Sequence, residues 1–539
     1  MTAIALTAIW LSPALVFAIG PALLTQGTLG LWLPLVAFAG FLLAGAWLAD
    51  PWGRLRGRTA GDLLHHRFGW RAGRLLGAVA LAVTLLFLWA QLAALREAGR
   101  WTGWPLTVAA LGAGALLVLD LRPGLRRVAG AGGAVVLMAG LLLPLAALLV
   151  ATDPVWPRVW DRVASQARFA FSPTSPWVVE GRAIHGVEPI LTLAIGEEQR
   201  VRFGGQGRVV VRLWEGGEVA QDVDSGLELA VRAGDRLLVP NGLVLRFEPG
   251  RAIPGAPPTG PDWAVPETPR GATGRRLGGL AATLLLGGLG LPPLLALLGA
   301  GPGLALRAVR CAALLLALLL LALQLWALYA AWLAPEVYLG GIDGLEPLAL
   351  PALASVGEGW GELLALLAFA GIGGGFLAAG LAALEAVRLS WMRDLRGGEA
   401  SARWVVMLAL GLSLLLARQA PWGGWRVLEF ALGLAAATLA PVLILGLWRE
   451  RLTARGAVAG LGIGLAVFVA LALAGLIAGR EESLPVLTRW PALVAAPANA
   501  LGAWLLSAAP RPSRRSPPAR AFLELHAEGL SSPPTSSTM

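Results

Sequence analysis

The chain has 539 residues, 57% hydrophobic and 14% charged, with a mean hydropathy of +0.69. A soluble domain of this length needs far more surface charge, so a water-soluble globular enzyme is excluded and a polytopic α-helical membrane protein is expected. The net charge of +10, carried by 43 basic residues that are all arginine, would suit nucleic acid, but the placement of the arginines argues for a topology signal instead.

Apolar runs of about 20 residues predict twelve spans, at 5–24, 31–49, 75–95, 104–120, 129–151, 277–300, 309–333, 361–387, 403–418, 426–447, 456–478 and 488–508. The start of the chain lacks the basic region of a cleavable leader, so the first span is expected to stay. That span is punctuated by Ser12-Pro13 and Gly20-Pro21. After the fifth span, residues 152–275 form an insert without a span. Four short runs in it, Leu191–Ile195, Val209–Leu213, Leu227–Val231 and Leu243–Phe247, read as strands of a small antiparallel sandwich or barrel. Gly-Gly, Asp-Ser-Gly and Pro-Asn-Gly turns separate them. The stretch Gly234-Asp-Arg-Leu-Leu-Val faintly resembles a cupin repeat without its histidines, so no metal is assigned there. Pro-rich 252–269 reads as a linker. The sixth span contains Gly287, Gly288, Gly290, Pro292 and Pro293. The tail 510–539, rich in Pro, Ser and Arg, is expected to be disordered.

Loops at 50–74, 121–127, 301–310, 388–403 and 449–455, with the tail, hold 22 arginines, and the opposite short loops hold 6. The bias predicts both termini in the cytoplasm of a bacterial inner membrane, with the insert outside. Proline lacks an amide hydrogen and glycine tolerates non-helical angles, so the first and sixth helices should unwind at mid-depth. Unwound backbone is tolerated there only where it is buried in protein or lines a cavity. Breaks in spans one and six occupy corresponding places in two five-helix halves, the arrangement of inverted-repeat transporters. The alternative is that Gly and Pro are simply common in membrane helices.

Several stretches together resemble the sodium:solute symporter family, most closely its cation:acetate branch. They are Leu452–Gly460 after Pro441–Gly446, Gly290-Leu-Pro292 followed by Arg307 and Arg310, Arg58–Asp62 with Arg67-Phe-Gly69, and Ala90-Gln91. The resemblance covers about 1–151 and 277–510. It implies a LeuT-type 5+5 inverted repeat plus two C-terminal helices: repeats at 1–151 and 276–448, extra helices at 449–509, and a β-rich insert and linker at 152–275. It further implies alternating access for a small organic anion such as acetate, bound near Ser12, Pro13, Ala14, Gln91, Gly288 and Gly290. The family holds sodium between carbonyls of the first helix, here near Ala14, and hydroxyls of the eighth. This chain departs from that pattern, with Ala382 and Ala383 at the hydroxyl positions. A methyl group offers a hard cation no oxygen. No other cofactor than a coupling ion, Na+ or H+, is expected.

Ionisable groups in membrane helices are functional suspects by default. Glu385, three residues after Ala382, is a candidate titrating carboxylate for proton coupling; its alternative is an ion pair with Arg388 at the helix end. Gln91 serves either the cavity or a neighbouring helix. Gln324, Glu429, Ser413 and Thr438 read as packing or rim residues, and Trp104, Trp422, Trp448 and Trp490 as an interfacial belt. One cysteine, Cys311, leaves no intramolecular disulfide or thiolate cluster, and the four histidines, His65, His66, His185 and His526, are too scattered to suggest a metal site, so no metal is expected. No catalytic triad order or Walker loop is present, so neither enzyme chemistry nor ATP-driven pumping is expected. The partners expected are a small solute, lipid, and a protein on the insert; the competing reading is a symporter-derived sensor or assembly subunit that no longer transports.

Overall fold

The computed structural model describes residues 2–152, 156–171, 179–180, 191–239, 243–265, 270–299, 301–339, 342, 344–356, 359–419, 422–478, 486–507 and 522. The expected tail, the Pro240-Asn-Gly turn, His185, His526 and Arg480 lie outside them, Phe522 excepted. Among the described residues, eight helical stretches are long and apolar enough to cross a membrane, and a ninth is a pair bent by 43°, Leu277–Leu289 with Pro292–Leu298. The stretch Pro13–Leu55 joins most of the first span to the second through a tight turn, Gly27–Leu31. The fourth and twelfth spans, Pro105–Asp120 and Ala492–Leu505, are apolar but shorter. Leucines and valines at Leu111, Val150, Leu314 and Leu408 face outward, as a lipid-bathed surface requires.

Both breaks are built alike. Ser12 is extended (φ −62°, ψ 157°) between helices Thr2–Trp10 and Pro13–Gln26. Leu291 is extended (φ −74°, ψ 109°) between helices Arg270–Leu289 and Pro292–Leu298. The local chemistry is the same in each: a proline disfavours helical angles at the residue before it, yet suits the first position of a new helix, where its missing amide removes no bond. The second punctuation of the first span behaves differently, since the helix runs straight through Gly20-Pro21. Pro21 there removes only the bond its amide would give to the carbonyl of Phe17.

Packing between spans repeats on adding five to each span number. The third span packs on the tenth, and the eighth on the fifth; the second on the sixth, and the seventh on the first. The sixth packs on the tenth as the first does on the fifth, and the sixth touches the eighth as the first touches the third. Such paired neighbours are what two structurally equivalent five-helix units produce.

The described residues of the insert form eight strands: β1 Val179–Glu180, β2 Leu191–Ala194, β3 Gln199–Gly204, β4 Gly207–Arg212, β5 Glu218–Val223, β6 Glu228–Val231, β7 Arg236–Val239 and β8 Val244–Phe247. They form two antiparallel sheets, ordered β1-β8-β3-β6 and β2-β7-β4-β5, the strand order of a double-sheet jelly roll. Val201, Phe203, Val209, Val211, Leu237, Val239, Leu245 and Phe247 fill the space between the sheets. Sequence reading found four of these runs. Strand β5 escaped it because only Val223 on it is buried, so its place is set by pairing with β4. The expected linker is partly structured: Thr259 caps a short helix, Gly260–Ala264, whose Trp263 is buried against Trp160 at 4.9 Å.

This helix seats the insert on the bundle. Thr28 Oγ1 donates to the Ala264 carbonyl at 2.9 Å. Gly27 has φ +52° and lies so close to the Trp263 carbonyl that a Cβ would sit 1.7 Å from the oxygen, so glycine is required there. Phe169 meets Tyr338 edge-on at 5.6 Å, and Tyr338 donates to the Leu24 carbonyl at 2.9 Å. The insert thus rests on the turn between the first two spans and on the segment Pro335–Leu339 after the seventh.

Candidate functional site: the paired breaks and the cavity above them

The two breaks meet. Trp10, the last residue of the first half-helix, lies against Gly288, where a Cβ would come within 2.3 Å of the indole ring. The indole is fixed by its N–H, which donates to the Ala37 carbonyl at 3.0 Å, and by Phe41 at 5.9 Å. Gly290 opens the sixth span to the tenth, since a Cβ there would approach the Ala435 carbonyl to 2.9 Å. Small residues are therefore needed at both positions for close backbone approach.

Several buried polar groups in the helical bundle have no hydrogen-bond partner among the described residues. Ser12 Oγ, both amide atoms of Gln91, both of Gln324 and the indole nitrogen of Trp89 all lack one, and Gln91 is fully buried on the third span, which packs against both broken helices. A buried amide without a hydrogen bond is costly, so such groups mark places that water or a ligand satisfies. Pro13 and Ala14 are buried beside Ser12, and the Ser12 carbonyl accepts from the amides of Leu15 and Val16. Ala383 is fully buried and Ala382 partly so, on an eighth span that packs against the first.

On the insert side of the breaks lies a cavity of about 340 Å³, at the low end of the range for small-molecule sites. Its apolar floor includes Phe17, Ala18 and Leu33, and its charged rim Glu97, Arg426, Glu429 and Arg489. Glu97 Oε1 accepts from the Gly424 amide at 3.1 Å, tying the third span to the start of the tenth. Glu429 pairs with Arg426 at 3.6 Å and accepts from the Trp490 indole at 2.5 Å. Trp490 is consequently a buried cavity wall and not the interfacial anchor its position at a span end suggested; the carboxylate of Glu429 draws its indole N–H inward. Trp422 likewise stacks on Trp89 at 6.0 Å. Glu429, expected as a packing or rim residue, is thus on the rim, and Arg426-x-x-Glu429 at the head of a span is an ion pair legible in the sequence.

Glu385 does not join this group. It lies at the opposite, arginine-rich end, bound to Arg126 at 2.7 Å and Arg58 at 3.3 Å. Arg388, its expected partner, goes instead to Asp120, which Arg126 also reaches at 3.4 Å. The reason is tertiary: the fourth and fifth spans bring Asp120 and Arg126 alongside the end of the eighth. Arg67, buried behind them, donates to the carbonyls of Gly446, Arg449 and Glu450 at 2.5, 3.1 and 2.9 Å. Burial pushes its guanidinium down to about 10, still charged at neutral pH. The chain is thus hollow toward the insert and closed by ion pairs at the other end.

No protein-family model matches the chain, and no curated protein matches it in sequence. Solved structures do. One is the substrate-bound outward-open state of a Na+-coupled sialic acid symporter, with 13% identity over 95% of this chain and 89% of that one, at a TM-score of 0.57. Another is Mhp1, a nucleobase-cation-symport-1 family transporter, in a closed conformation with bromovinylhydantoin bound, with 12% identity over 97% and 96%, at a TM-score of 0.49. The paired breaks, the repeated packing and the first of these likenesses together give the architecture: an all-α polytopic membrane protein with a LeuT-type 5+5 inverted repeat, two added helices and a small β insert.

Proposed function

We propose that the chain is a secondary active transporter of a small organic anion, acetate or a related monocarboxylate, working by alternating access. The observation that carries this is the meeting of two proline-broken half-helices, with Ser12 at the first break and Gln91 on the third span that packs against both, their buried polar atoms without a partner among the described residues, and a cavity reaching the first broken helix at Phe17 and Ala18. The helix that begins at Pro13 presents its amide end beside Ser12, which suits a carboxylate. Pro13, Ala14, Gly288 and Gly290 supply the close backbone around that position. The sialic acid carried by the first structural neighbour is itself a carboxylate, which accords with this solute class. Arg426 and Arg489 on the cavity rim attract an anion, and Glu97 and Glu429 keep it from binding too tightly there.

Coupling through the eighth helix cannot use hydroxyl ligands at Ala382 and Ala383. A proton is therefore the coupling ion we favour over sodium, although Glu385, held in ion pairs away from the breaks, is better placed to hold the closed end than to carry it. Both termini and the arginine-rich end lie in the cytoplasm of a bacterial inner membrane on this reading, and the insert faces outward. A second reading, a sensor that no longer transports, draws on the alanines and on the seating of the insert against the turn at Gly27, next to the first broken helix; on that reading the insert also binds an external protein.

Uptake of labelled acetate into proteoliposomes separates the two. Accumulation under an imposed pH gradient, or exchange against unlabelled acetate, is expected, and Ser12→Ala with Gln91→Leu should lower it. Absence of uptake and exchange under both sodium and proton gradients, with intact folded protein, overturns transport and leaves the sensor.

A further inference from the structure

At the arginine-rich end, away from the breaks and the cavity, three metal-ligating side chains converge. Asp62 and His65 lie on the short helix Ala60–Phe68, three residues apart and so on one face. Asp394 ends the π-helical turn Ser390–Asp394 that closes the eighth span, and such turns are frequent at functional sites. One donor atom from each residue lies within 4.8 Å of the other two.

Asp394 is fully buried. Its Oδ1 accepts from the Thr59 hydroxyl at 2.7 Å, but its Oδ2 has no partner, and neither has the buried Nε2 of His65. Two unpartnered acceptor atoms from different elements thus sit in one small space. Three glycines make that space. A Cβ at Gly61 would lie 2.3 Å from Asp394 Oδ1, one at Gly77 2.2 Å from Asp394 Cβ, and one at Gly73 1.5 Å from His65 Cδ2. The donors are also held from behind. Asp62 Oδ2 accepts from the amides of Arg58 and Thr59 at 2.7 and 3.0 Å, and Arg393 lies 3.3 Å from it. His65 has a backbone hydrogen bond at Trp70, which leaves Nε2 as the ring nitrogen available to a ligand.

We propose that Asp62, His65 and Asp394 form a binding site for a divalent transition-metal ion of the zinc or manganese kind. One imidazole and two carboxylates are the donor set such ions prefer, whereas magnesium and calcium favour oxygen alone. Three protein donors leave a position for water. Small side-chain rotations bring the donors from their present separation into coordination distance. A bound ion offsets the two carboxylates where Arg393 reaches only Asp62. It also staples the 60–68 helix to the end of the eighth span, at the end of the bundle already closed by the pairs of Glu385 and Asp120. The competing arrangement has no metal, with Asp394 protonated and donating to His65 or Asp62.

The test uses the full chain, purified in detergent without a histidine tag, stripped with chelator and dialysed against zinc. One zinc per chain is expected by elemental analysis, with nitrogen and oxygen donors in X-ray absorption and a higher melting temperature on zinc addition that magnesium does not reproduce. His65→Gln should weaken binding by about 100-fold or more, beyond the effect of losing an outer partner. Gly73→Ala keeps every donor but displaces the ring, and should weaken it similarly; Thr59→Ser should bind as the parent does. Because Asp394→Asn risks misfolding, His65→Gln and Gly73→Ala decide the matter. Parent protein that takes up neither zinc nor manganese overturns the proposal, and so does zinc binding unchanged in both variants.

Discussion

The two ends of the helical bundle are closed by different physics. Toward the insert, contacts are aromatic or run through main-chain carbonyls: Tyr338 on Leu24, Thr28 on Ala264, Trp490 on Glu429, with a cavity of about 340 Å³ among them. At the far end, arginines from three loops converge on Asp120, Glu385 and Asp62, and Arg67 gathers three carbonyls. The pairs of Glu385 and Asp62 are partly exposed, weak singly and cheap to break, whereas those of Asp120 involve a buried carboxylate. Such a seal suits a door. Dense aromatic and backbone contacts suit a frame on which the jelly roll is mounted. On the proposed transport reading, the end without the insert is the one shut in this conformation, and ion-pair strength sets how readily it opens.

Three substitutions bear on that contrast. The largest effect is expected from Arg67→Met, which strands three carbonyls at the closed end; a loss of about 3 kcal/mol in unfolding free energy follows from hydrogen bonds to a charged group. Chemical denaturation in detergent measures it, and a loss below the scatter would mean that the closed end does not depend on this residue. Next is Gly288→Val, whose side chain collides with Trp10 at the meeting of the breaks. Overpacking there should lower stability by about 1–3 kcal/mol and abolish solute binding, read by thermal unfolding and by protection from it with acetate. Unchanged protection would place the solute elsewhere. The smallest is Glu385→Gln, which removes two partly exposed ion pairs and should shift the balance toward opening by about 1 kcal/mol, near five-fold in population. With Cys311→Ala removing the exposed native thiol, a cysteine at position 12 reports the change as faster labelling from the arginine-rich side. Equal labelling rates would deny Glu385 a gating role.

Much of the fold is readable in the residues themselves. A run of about 20 apolar residues has one stable conformation in lipid, and Ser12-Pro13 and Leu291-Pro292 mark where both breaks fall through local backbone sterics. The arginine contrast told the two ends apart, but not that Arg58, Arg126, Arg388 and Arg393 pair with carboxylates from other spans. Gly20-Pro21 looked like a second break and is not one, because a proline that loses a single helical bond does not by itself stop a helix held by its neighbours.

The candidate site was legible only in part. Ser12 and Gln91 stood out as polar residues in apolar runs, and both prove buried and without protein partners. The cavity walls, Trp490 and Glu429, did not stand out, because they come from spans ten and twelve and nothing local ties one to the other. Asp394 drew no notice as one acid at a helix end; its meeting with His65 depends on Gly61, Gly73 and Gly77, which lie far from it along the chain. The sequence by itself determined which segments enter the bilayer and where two of them break, because those outcomes depend on transfer of apolar groups and on backbone angles within a few residues. The tertiary structure alone decided which end stands open, which charges pair and which polar atoms are left unsatisfied, because these depend on distances between residues hundreds of positions apart.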